Sequence, residues 1–207
     1  MKIPLSAVVF DIGNVLIRWD PENLYKKLIS NEDERKWFLE NICTMDWNLQ
    51  QDKGRPWDEA VEDLCAKFPE HKTLIEAYHH RWFEMLDGPI ETCVTLLHEL
   101  KKLGFPTYAI SNFSCEKLAI TKPHYPFLID SFKDMVISGE ENVLKPDRRL
   151  YEVLLERNKL VASELLFIDD TLRNVEAARD LGMHAIHFQG EEQFKQELVK
   201  YSLPVLI

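Results

Sequence analysis

Residues 7–16, Ala7-Val8-Val9-Phe10-Asp11-Ile12-Gly13-Asn14-Val15-Leu16, govern how the rest of the chain is read. Four apolar residues, β-branched and aromatic with no polar alternation, read as a strand buried on both faces, as in a parallel sheet. The run stops at a carboxylate followed by Gly and Asn, at the edge where open α/β sheets place their ligands. The device recurs late in the chain, where Leu165-Leu166-Phe167-Ile168 runs into Asp169-Asp170. Two buried strands delivering acid to one edge point to a site for a cation.

From residue 87 onward the pattern alternates between helix and strand. An amphipathic helix over 91–103 ends at Gly104, and a strand over 106–110 runs into Ser111-Asn112. Further strands are expected at 135–137, 165–168 and 185–188, with helices near 115–120, 148–158, 174–181 and 191–199. Such alternation implies right-handed crossovers and an α/β, doubly wound parallel sheet. Residues 17–86 instead show helical spacing only. Asp20-Pro21 starts one helix, Asn31 caps a second carrying Trp37 and Phe38, and others are expected over 56–68 and 71–86. With strand signals absent there, the block reads as a helical cap. The expected division is a core of residues 1–17 and 88–207, with a cap of 18–87.

Bulk properties narrow the partners. The 207 residues carry a formal net charge of −10, which argues against nucleic acid or an anionic membrane surface. No apolar run reaches membrane-spanning length, and the first residues lack signal-peptide organisation. Cys43, Cys65, Cys93 and Cys115 show no CxxC spacing, so neither a disulfide framework nor a zinc site is expected. A cytoplasmic protein, monomer or homodimer, fits these features.

Asp11, Ser111-Asn112, Lys145 and Asp169-Asp170 should converge on the C-terminal edge of the sheet. Taken singly, each has a bland reading. Asp169-Asp170-Thr171 can cap a helix, Ser111-Asn112 is ordinary turn chemistry, Lys145 before Pro146 can be a surface lysine, and Asn174 can merely sit in its helix. Together they are a site. Close carboxylate pairs repel by about 4 kcal/mol at an effective dielectric near 20, and one lysine does not offset three acids. A hard dication does, and a site with few carboxylates suits Mg²⁺. In the cap, the polar stretches Asp46-Trp47 and Gln51-Asp52-Lys53-Gly54 are expected to face the cleft, and His124-Tyr125 to line its entrance. His79-His80 and the five tryptophans read as packing.

The four segments VVFDIGNVL, AISN, LKPDRRLYE and LFIDDTLRNVEAARDLGM, with a cap inserted after the first, resemble the haloacid dehalogenase-like hydrolase superfamily over nearly the whole chain. The Asp-x-Gly-Asn-Val form of the first segment is similar to that of small glucose-1-phosphatase-like members. The resemblance implies a Rossmann-like core and a small phosphorylated metabolite as substrate, a sugar phosphate among the options. It makes Asp11 a nucleophile forming an aspartyl-phosphate, and Lys145 a neutraliser of charge that also binds phosphate. It assigns Ser111 and Asn112 to phosphate oxygens. Mg²⁺ would be held by Asp11, the Gly13 carbonyl, Asp170 and Asp169. Many phosphatases of this superfamily carry an acid/base Asp where Gly13 stands here, a group worth ~10²–10⁴-fold. A cap residue or water supplies the proton, or turnover is slow, or the leaving group needs little protonation. Two alternatives accompany the phosphatase reading: a 2-haloacid dehalogenase using the same Asp, and a weakly catalytic binder of phosphorylated ligands.

Overall fold

The computed structural model describes residues 3–204. A two-residue strand β1 (Ile3–Pro4) precedes β2 (Ala7–Phe10), all of whose residues are buried. Then come β3 (Ile17–Trp19), β4 (Leu86–Pro89), β5 (Thr107–Ser111), β6 (Asp134–Ile137), β7 (Leu165–Asp169), β8 (His184–His187) and β9 (Tyr201–Ser202). The main sheet has the order β6-β5-β2-β7-β8, every neighbouring pair parallel. Between β3 and β4 lie α1 (Glu22–Tyr25), α2 (Glu32–Asn41), α3 (Met45–Asp52), α4 (Trp57–Lys67) and α5 (Lys72–His80). After β4 come α6 (Glu91–Lys102), α7 (Cys115–Thr121), α8 (Phe127–Asp130), α9 (Ser138–Glu141), α10 (Arg148–Asn158), α11 (Leu172–Asp180) and α12 (Glu191–Leu198).

Successive side chains of β2 face opposite ways, as strand geometry requires. Val8 and Phe10 join a cluster with Leu97 of α6 and Phe194 of α12. Ala7 and Val9 join another with Leu154 of α10 and Val175 of α11. Helices therefore cover both faces, and the sheet is doubly wound. A third cluster, centred on Tyr25, Phe38, Trp57 and Tyr78, draws its buried members from residues 24–85. Local signals worked as the sequence implies: Asp20 Oδ1 accepts the Glu22 N–H at 2.9 Å, and Asn31 Oδ1 accepts that of Glu34 at 2.9 Å.

The inserted block departs from expectation in three places. First, it is not free of strands. β3 and β4 pair antiparallel (Ile17 with Pro89, Trp19 with Leu86), so the cap's entry and exit form one ribbon. Their three and four residues are too few to show alternation, and the expected boundaries at 17/18 and 87/88 fall inside this ribbon. Second, 45–52 is a helix that no expected element covered. Its buried positions are Asn48, Gln51 and Asp52, so no apolar period announces it. Third, the helix expected over 71–86 breaks at Arg81, after which a 3₁₀ turn, Trp82–Met85, leads into β4. The β1–β9 pair was also unforeseen.

Block and core are stitched together at the start of α7. The Ser114 N–H donates to Asp52 Oδ1 (3.0 Å), while the Trp57 indole N–H donates to Ser114 Oγ (2.9 Å). The Trp57 main-chain N–H reaches Glu116 Oε1 (3.1 Å). Lys117, buried, donates to the His79 carbonyl at 2.9 Å and lies 4.6 Å from the centre of the Trp57 ring. Its Nζ is also 2.7 Å from His79 Nδ1. Burial pushes the Lys117 ammonium down to about 8, and burial and Lys117 hold His79 below the usual imidazole range.

Candidate active site

Asp11 leaves the end of β2 with its N–H bonded to the Ile168 carbonyl of β7 (2.9 Å). Because β5 and β7 flank β2, their ends deliver Ser111 and Asp169 to the same place. Asp11 Oδ1 accepts from Ser111 Oγ (2.6 Å) and from the Ile12 N–H (2.7 Å). Lys145 Nζ lies 2.7 Å from Asp11 Oδ2 and 2.7 Å from Asp169 Oδ2, and donates to the Ile110 carbonyl at 3.0 Å. Asp11, Ser111, Lys145 and Asp169 are all buried, whereas Asp170 is half-buried.

The sequence-derived residues thus come together, but not all in the stance expected of them. Asp169 is saturated by protein donors: Lys145 and Asn174 Nδ2 (3.2 Å) on Oδ2, the Thr171 N–H (2.8 Å) and Asn174 Nδ2 (3.0 Å) on Oδ1. Metal ligation by Asp169 would cost one of these bonds. The Asp170 carboxylate is engaged only weakly, by Thr171 Oγ1 at 3.4 Å. Asn112 is turned toward Lys145, accepting its main-chain N–H (2.7 Å) and donating to its carbonyl (3.2 Å). The Asn112 side chain thereby fixes the main chain of Lys145. Ser111 likewise orients Asp11. Gly13 lines the cavity, and a Cβ placed there meets nothing within 4 Å. Asn174, left open by the sequence, belongs to the site.

Electrostatics favour a cation. Burial, against the pull of Lys145 and with the push of Asp169 and Asp170, raises Asp11 to about 7. Burial and then Asp169 raise Asp170. Burial works against the Lys145 charge, but Asp11 and Asp169 outweigh it and hold the ammonium above its ordinary value. Oxygens of Asp11, Asp169 and Asp170 lie within 4.8 Å of one another, and one lysine leaves the group with excess negative charge. Asn174 Oδ1 is buried without a hydrogen-bond partner, an acceptor suited to a water carried by an ion. This donor set, all oxygen and partly uncommitted, fits a hard dication.

A cavity of about 390 Å³ opens from Asp11, Lys145 and Asp170 toward the cap. Of the cap stretches expected to face it, Asp46 and Asp52 do. Trp47 packs edge-on against Trp57 and Tyr78, and Gln51 is fully buried with its amide on the Trp47 carbonyl. Lys53, Gly54, His124 and Tyr125 are not among the lining residues. His124 instead lies against Phe83, 4.3 Å between ring centres. Burial raises the Asp52 carboxyl to about 8, partly relieved by the Ser114 N–H and the Asn48 amide. Arg173 also reaches the cavity; its place at the start of α11, just after Asp169-Asp170, was the one available signal for it.

The family model for haloacid dehalogenase-like hydrolases matches residues 5–182. A sesquiterpene phosphatase, astK, from Aspergillus oryzae is 28% identical over 90% of this chain and 91% of its own length. A phosphorylated carbohydrates phosphatase from Thermotoga maritima is 24% identical over 88% of this chain and 84% of its own. The chain spans only 36% and 18% of two longer curated relatives that it matches. Among solved structures, the HAD family enzyme bt-2542 from Bacteroides thetaiotaomicron superposes with a TM-score of 0.73 at 22% identity, covering 94% of this chain and 98% of that one. That protein has also been crystallised with magnesium and inorganic phosphate, in a form with a TM-score of 0.68, 23% identity and coverage of 88% and 93%. Among the described residues no helix is long and apolar enough to cross a membrane. With the matched model spanning Asp11, Ser111-Asn112, Lys145 and Asp169-Asp170, the chain belongs to the haloacid dehalogenase-like hydrolases.

Proposed function

We propose that this hydrolase is a Mg²⁺-dependent phosphatase acting on a small phosphorylated metabolite through an aspartyl-phosphate on Asp11. The observation that carries the reading is the buried Asp11 carboxylate, gripped by Lys145, Ser111 and the Ile12 N–H beside the lightly engaged Asp170. Two relatives named as phosphatases, and a similar fold holding magnesium and phosphate, support it.

Asp11 and Asp170 would hold the ion, with the Gly13 carbonyl beside them and Asp169 holding Lys145 and Asn174 behind. Bound Mg²⁺ would supply charge compensation for the acids and the phosphoryl oxygens. The protein does the rest by positioning, which is most of what phosphoryl transfer asks. An Asp11 oxygen attacks phosphorus and the bond to the alcohol oxygen breaks; water then attacks the aspartyl-phosphate, releasing phosphate and restoring Asp11. Lys145 stays beside the attacking carboxylate, held there by Asn112 and Asp169.

The test is phosphate release from a panel of phosphorylated metabolites. Release that needs Mg²⁺, stops with EDTA and falls at least about 10³-fold in Asp11→Asn is expected. Equal release by Asp11→Asn overturns the reading. Turnover of chloroacetate surviving chelation would make the chain a dehalogenase, and uniform inactivity with tight, Mg²⁺-dependent ligand binding would make it a binder.

A further inference from the structure

We infer that the alcohol half of the substrate is apolar: the cavity is shaped for the phosphate monoester of a hydroxyl-poor hydrocarbon rather than of a sugar. The inference rests on the phosphatase reading above and deepens it. Beyond the phosphate end, marked by Asp11, Lys145 and Asp170, the walls change character. The ribbon contributes Ile17, Trp19 and Leu86, and α3 contributes Met45 and Leu49. Trp82 and Phe113 complete the apolar lining, their rings 5.7 Å apart.

Most of the polar groups among these walls are spent within the protein, and the Trp19 indole N–H, which has no partner among the described residues, is closed off from the cavity. Asp52 takes the Ser114 N–H on one oxygen and the Asn48 amide on the other, while Asn48 Oδ1 accepts from Tyr78. Asn14 Oδ1 accepts the Trp19 N–H, and both ends of the Asn112 amide are used by Lys145. Two charged side chains remain, Asp46 and Arg173, and both are solvent-exposed. A sugar ring in this space would bury hydroxyls without partners, each costing about tenfold in affinity. A hydrocarbon would bury against side chains that have nothing to lose, gaining about fourfold per methylene seated. The cavity, about 390 Å³, is within the range that encloses a ligand larger than phosphate itself.

The experiment uses the full chain with Mg²⁺ and two readouts. Calorimetric binding of butyl-, hexyl- and octylphosphonate, with benzylphosphonate as the aromatic arm, is expected to tighten about fourfold per methylene along the alkyl series until the cavity is full. The alkyl and aryl arms decide which apolar source the walls prefer. Phosphate release is expected to be more than about tenfold higher in kcat/KM for hexyl phosphate, whose leaving group is no better, than for glucose 1- or 6-phosphate. Leu49→Asn is expected to flatten the chain-length series; Met45→Ser, at an exposed position, gives the same test with little risk to folding. A flat series, or glucose phosphates equal to the apolar esters, overturns the inference. If no ester releases phosphate, the phosphatase reading fails, and the phosphonate series still decides: a steep series keeps the apolar ligand site and a flat one removes it.

Discussion

Asp52 and Gly13 are where single side chains set measurable behaviour. Asp52 is a carboxyl in the cavity that burial holds at about 8, far above its ordinary 3.8. Between those values the native chain keeps a proton that the unfolded chain has released, so stability falls as pH rises across that window. The slope for one proton is at most ~1.4 kcal/mol per pH unit. Asp52→Asn is expected to be the more stable protein at pH 8, with a urea midpoint that changes less between pH 5 and 8. An unchanged slope would show that Asp52 is ionised in the native state. At position 13, a Cβ added to the glycine meets no neighbour within 4 Å, and the position faces the cavity. Gly13→Asp is expected to keep Mg²⁺ affinity and to raise phosphatase kcat about 10-fold or more. Equal kcat in a well-folded variant would mean that the leaving oxygen already receives its proton elsewhere.

Among the elements, α3 and the β3–β4 ribbon do most to shape the cavity, and neither was visible as such in the sequence. The buried positions of α3 are polar, so helical periodicity had nothing to report, and the ribbon is too short for period-2 alternation. The buried strands were visible because an unbroken apolar run ending in acid has few other readings. The seam at α7 offers a test of how firmly the cap is attached. Ser114→Ala leaves the buried Trp57 indole N–H without its acceptor, and an unsatisfied buried donor costs about 1–3 kcal/mol. Urea denaturation is expected to show that loss; a change below about 0.3 kcal/mol would mean that the seam is not a stabilising contact.

For the molecule as a whole, stability and ion binding are linked through the acids at the sheet edge. Without a cation, Asp11, Asp169 and Asp170 repel one another around a single lysine. Asp170→Asn relieves part of that repulsion and removes a ligand. Under EDTA the variant is expected to melt above the parent. With Mg²⁺ at a hundred times its Kd the parent gains about 2.7 kcal/mol and the variant little, so the order of the two Tm values reverses. Identical Mg²⁺ shifts in both proteins would remove Asp170 from the ion site.

Strand runs, their terminal acids and the order of the four segments were readable from the chain alone, because burial and strand-end placement are local consequences of residue type. That reading contained the α/β fold and the meeting of Asp11, Ser111, Lys145 and Asp170 at one sheet edge. Which hydrogen bonds each group would keep was not readable. Asn112 turning to Lys145, Asp169 filling its oxygens with donors, and α3 exposing Met45 and Leu49 to the cavity all depend on neighbours distant in sequence. A side chain's type fixes what it can bond; packing across the sheet and cap fixes what it does bond.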